Sequence, residues 1–124
     1  MKRIYILMTM ALLLCASVAQ AAVWMPSVFS DNMVLQRGKP VPVWGWAEPG
    51  ERVTVTFAKQ KKTVVADTSG KWTIRLDAMK ASAEGRVLTV TSNRKSKSGN
   101  RKFGDVLVGE VWLCSGQSNM EWRL

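Results

Sequence analysis

The residues of this chain best suited to chemistry lie close together near its end, in Cys114-Ser115-Gly116-Gln117-Ser118-Asn119-Met120-Glu121. Ser118 follows an apolar run, Val111-Trp112-Leu113-Cys114, and precedes residues that suit the first turn of a helix. Four apolar residues bounded by turn formers predict a strand buried on both faces. A serine between such a strand and a helix stands above the carboxyl edge of a sheet, where open α/β folds bind their ligands. The backbone N–H groups that follow it are unpaired, and with the helix dipole they can stabilise a developing oxyanion. Ser118 is therefore a candidate nucleophile, with Gln117 and Asn119 as neighbours of the reacting centre. A plainer reading stands beside this one. Ser118-Asn119-Met120-Glu121 also fits a capping box, in which the serine only closes a helix end. The Gly-x-Ser-x-Gly elbow is not met, because position 120 is methionine.

A serine hydroxyl is a weak nucleophile until a base takes its proton, and histidine does this most readily near neutral pH. The chain contains no histidine. Without histidine, and without spaced cysteines or carboxylates, no metal site is expected and no cofactor is implied.

Three stretches, in this order, resemble the sialate O-acetylesterases, members of the SGNH-hydrolase superfamily of serine esterases. They are Val28-Phe29-Ser30-Asp31-Asn32-Met33-Val34-Leu35-Gln36, Val41-Pro42-Val43-Trp44-Gly45-Trp46-Ala47, and Gly109-Glu110 through Glu121-Trp122. The resemblance covers the opening portion of such an enzyme. It implies that Ser118 is the nucleophile and that its N–H helps form the oxyanion hole. It further implies an O-acetylated sialic acid, or another acetylated glycan, as substrate. The family's histidine, from a late Asp-x-x-His-type block, and its glycine and asparagine oxyanion donors are matched nowhere in this sequence. These 124 residues alone are therefore expected to be inactive, with the base supplied by a segment beyond Leu124.

The elements that must carry this segment read as follows. Residues 1–21 have the form of a secretion signal: basic Lys2-Arg3, an apolar stretch, and a small-x-small site at Ala19-Gln20-Ala21. Cleavage after Ala21 predicts a secreted or periplasmic protein that starts at Ala22, with no membrane span in the mature chain. Cys15 leaves with the signal, so Cys114 has no partner for a disulfide and reads as an inert buried thiol.

Residues 22–108 carry the signals of an antiparallel β-sandwich, with short alternating runs separated by turns. Val53, Val55 and Phe57, then Trp72, Ile74 and Leu76, then Leu88 and Val90, are the expected inward positions. Met33 to Gln36 predicts a short strand, and Pro40 and Pro42 mark the next run as an edge or bulged strand. Lys59-Gln60-Lys61-Lys62 reads as a polar connection, and residues 78–85 as a looser link with room for one helical turn. Residues 109–124 then open an α/β domain, so the expected class is mainly β with the first strand and helix start of an SGNH-type domain.

The formal net charge is +9, and five cations with no anion lie between Arg94 and Lys102. An aromatic-free run of this kind in a secreted protein reads as a solvated hairpin loop rather than a nucleic-acid surface. The six tryptophans invite a sugar-binding reading, and the alternative class of function is a non-catalytic carbohydrate-binding module. Trp72 and Trp112 lie in runs expected to be core; Trp44 and Trp46 share one face of a Pro-rich strand. Burial is the commoner fate for each of them.

Overall fold

The computed structural model describes residues 23–93 and 99–115. The signal-like residues 1–21 and the cationic residues 94–98 lie outside the described residues, as do Gln117, Ser118 and Asn119. Among the described residues seven strands form: β1 (Val34–Gln36), β2 (Val41–Trp46), β3 (Arg52–Phe57), β4 (Gln60–Val65), β5 (Lys71–Leu76), β6 (Ser82–Ser92) and β7 (Arg101–Gly109). No α-helix occurs among the described residues. Five strands make one sheet in the order β1-β7-β6-β3-β4, and β2 pairs with β5 in a second, two-stranded sheet.

The alternation expected from the sequence places the core. Val53, Val55 and Phe57 of β3, Trp72, Ile74 and Leu76 of β5, and Leu88 and Val90 of β6 are all buried. Val41 and Val43 of β2, Val106 and Val108 of β7, and Leu35 of β1 complete the same cluster. Both sheets therefore turn one face inward, and period-two patterning sets that face in each strand. The Glu48-to-Glu51 turn is closed by its own last residue. The buried Glu51 carboxylate accepts the Glu48 N–H at 2.8 Å and the Ser92 hydroxyl, which ties the turn to β6.

Three local expectations are corrected. Gln60, Lys61 and Lys62 belong to β4 and not to a connection, because a tight turn at Ala58 and Lys59 reverses the chain with both residues at positive φ. Such two-residue hairpin turns match strand twist, but they are usually signalled by Asn or Gly rather than Ala-Lys. β4 is an outer strand of its sheet and exposes Lys61, Thr63 and Val65, and lysine at an edge discourages pairing with another chain. Residues 82–85 join β6, with irregular register against β7, in place of a loose link. Finally, the large sheet is mixed: β1 runs parallel to β7, Val34 beside Leu107 and Gln36 beside Gly109.

Candidate functional site

The segment bearing the candidate nucleophile leaves the sandwich at the end of β7, and residues of the first resembling block hold it there. Asp31 and Asn32 fasten one end of that block to β7. The Asp31 carboxylate accepts the Gly104 N–H at 2.7 Å, and the Asn32 N–H donates to the Gly104 carbonyl at 3.0 Å. Asn32 sits at φ 63°, a left-handed conformation that asparagine adopts more readily than most residues. β1 then runs beside β7 for three residues, and its end grips the outgoing chain. The Arg37 N–H donates to the Gly109 carbonyl at 2.9 Å. The Gln36 side-chain carbonyl accepts the Val111 N–H at 3.0 Å, while its amide donates to the Glu110 carboxylate at 3.1 Å. Arg37 adds an ion pair to Glu110 at 3.6 Å, both side chains about half exposed.

Gln36, Arg37 and Glu110 thus tie the end of β1 to the chain leaving β7, a contact that sequence reasoning passed over. The available signal was that Gln36 closes one block resembling a hydrolase family and Glu110 stands near the start of another.

Beyond this grip the expected buried strand does not form. Residues 111–115 carry no regular secondary structure, and Trp112 and Leu113 are 81% and 96% exposed. Cys114 is exposed as well, not the buried thiol expected. The physical reason is the absence of flanking elements. A strand buried on both faces needs neighbouring strands and covering helices, and no described residue supplies them. A shallow depression of about 390 Å³ lies beside the exit, lined by Val34, Leu107, Gly109 and Glu110 among others. Gln117, Ser118 and Asn119 follow outside the described residues. Among the described residues, no three His, Cys, Asp or Glu side chains gather to hold a metal ion.

No family model matches the chain. Individual proteins do. Sialate O-acetylesterases of Homo sapiens and Pongo abelii are each 36% identical over 102 residues, and that of Mus musculus is 35% identical. Each alignment takes in 77% of this chain and 19% of the relative, so the chain spans about a fifth of the proteins it matches. A solved carbohydrate acetylesterase from Xanthomonas citri superposes with a TM-score of 0.72 at 42% identity, covering 82% of this chain and 22% of that one. In sequence the chain matches an amino-terminal portion of the sialate O-acetylesterases, and in backbone it matches part of a carbohydrate acetylesterase.

Proposed function

We propose that this chain is the amino-terminal part of a secreted or periplasmic carboxylic ester hydrolase that removes O-acetyl groups from sialic acids or related acetylated glycans. The observation that carries the reading is the grip of Gln36 on Val111. It links the first resembling block to the start of the block containing Ser118, which gives both blocks a shared physical role. Ser118 attacks the acetyl carbonyl, and the oxyanion is stabilised in part by the Ser118 N–H. Gln117 and Asn119 flank the reacting centre. A histidine from outside these 124 residues takes the serine proton and delivers it to the departing sugar oxygen, which leaves as a hydroxyl. Water, activated by the same base, then releases acetate and restores the serine. The sandwich contributes position to this chemistry, through the β7 exit and the β1 clamp.

The test is acetate release by a longer polypeptide that continues past Leu124 through an Asp-x-x-His block. O-acetylated sialic acid and acetylated xylan are offered in parallel, and hydrolysis of neither would defeat the reading. Amino-terminal sequencing of exported material, expected to begin at Ala22, tests the secretion claim separately.

The lack of histidine favours a second reading for the 124 residues by themselves, a non-catalytic secreted carbohydrate-binding module. A carbohydrate-binding measurement on the unextended chain tests it.

A further inference from the structure

Trp24 and Trp46 stand together at the rim of the small sheet, 53% and 38% exposed. Their ring centroids are 4.7 Å apart, with the planes inclined at 53°. The backbone fixes this pairing. Each residue's N–H donates to the other's carbonyl, both at 2.8 Å. Gly45 makes the approach possible, since a Cβ there would overlap the Trp24 carbonyl oxygen. On the inward face of the same strand pair Trp72, the register partner of Gly45, is fully buried.

Burying an indole is strongly favourable, so two adjacent ones held outward by backbone hydrogen bonds are unlike scattered surface apolar residues. The surrounding chemistry is polar. Lys71 lies directly across from Trp46 and Thr73 across from Trp44, both exposed, so donors border the rings. Rigid aromatic surface bordered by a few hydrogen-bonding groups suits a ligand with one apolar face and a polar edge. A pyranose ring has that shape, with axial C–H groups on one face and hydroxyls around its margin.

We propose that Trp24 and Trp46 form a carbohydrate-binding platform that takes the C–H face of a pyranose ring, with Lys71 reaching the hydroxyl or carboxylate edge of the sugar. The choice of a sugar as occupant rests on the acetylated-glycan reading above, but the platform does not use Ser118. Lys71 also sets a preference within the ligand class: a carboxylate-bearing sugar gains a contact that a neutral one lacks.

The experiment follows the indole N–H resonances of the 124-residue chain during titration with a sialyl-oligosaccharide and, separately, with a neutral xylo-oligosaccharide. Saturable shifts are expected at Trp24 and Trp46 and not at Trp72. Trp24→Ala and Trp46→Ala are each expected to weaken binding about threefold to tenfold, in line with the worth of an aromatic contact. Trp46→Tyr, which keeps a ring in place, is expected to retain much of the affinity. Unchanged core resonances check the fold of each variant. Lys71→Gln is expected to weaken the acidic sugar selectively.

Three results overturn the proposal: no saturable shift with either sugar, shifts that survive both alanine variants, or indoles shielded from solvent by the rest of a longer polypeptide. The longer wild-type polypeptide separates the two readings. Sugar binding at the indoles without ester hydrolysis keeps the platform and removes the esterase, and hydrolysis without binding at the indoles does the reverse.

Discussion

The Gln36 side chain and the Val111 backbone are joined across 75 positions of sequence, with the glutamine Oε1 accepting the Val111 N–H at 3.0 Å. The same amide donates to Glu110, and Arg37 reaches Glu110 from the next position. A short parallel strand thus ends in a clamp on the chain just where it departs toward Ser118. Among the described residues this is the contact most directly concerned with the candidate nucleophile.

Gln36→Leu should release that clamp with little effect on the core. These bonds are solvent-exposed, so global stability is expected to fall by less than about 1 kcal/mol. Hydrogen exchange at the Val111 amide should quicken, while amides within β3 and β6 keep their protection. Unchanged exchange at Val111 would show that the clamp does not hold the exit segment.

Trp72 carries the centre of the sandwich, at 1% exposure and opposite Gly45. Trp72→Ala is expected to cost about 3–5 kcal/mol in urea denaturation. Trp72→Phe should cost markedly less, because phenylalanine refills much of the space that alanine leaves empty. Both changes also remove an indole Nε1 that has no hydrogen-bond partner among the described residues, which offsets part of the lost packing. Equal losses in the two variants would mean that the ring is not packed at the centre of the core.

Asp67 organises the turn before β5 and should make it acid-sensitive. Its carboxyl is held below the ordinary range, first by the Ser69 hydroxyl and then by the Lys71 N–H. A carboxyl depressed in the folded state stabilises above its unfolded pKa, and that contribution is lost as pH falls through the folded value. Wild type should therefore lose stability relative to Asp67→Asn as pH falls below the usual carboxylate range. Thermal melts of both proteins across that window provide the check, and parallel curves would remove Asp67 from the account.

Much of the sandwich was legible because alternation is local. Val53-Thr54-Val55 and Trp72-Thr73-Ile74 declare their inward side chains without reference to anything else. Partners are not local, and this is why the parallel pairing of β1 with β7 escaped notice. Residues 33–36 predict a strand, but nothing in them states that Leu107 lies alongside. The Ala58-Lys59 turn was hidden by residues that rarely signal one, so the lysines of β4 read as a connection. Trp112 and Cys114 were misplaced for the opposite reason. Their apolar run describes burial against elements that the described residues do not include. The type of Ser118 and its position after that run were readable, but its choice between helix cap and nucleophile depends on a base that composition shows to be absent from the chain.

The central claim is that Ser118 is a nucleophile completed from outside these 124 residues. The most direct measurement is covalent labelling by a fluorophosphonate probe, read by mass spectrometry of the modified peptide. Alone, the chain should remain unlabelled, since it holds no histidine to activate the hydroxyl. A longer polypeptide carrying the Asp-x-x-His block should be labelled at Ser118 and hydrolyse acetyl esters. Ser118→Ala in that polypeptide should abolish both, with a stability change of about 1 kcal/mol if a cap is lost. Full esterase activity in Ser118→Ala would contradict the account and leave Ser118 as a helix cap.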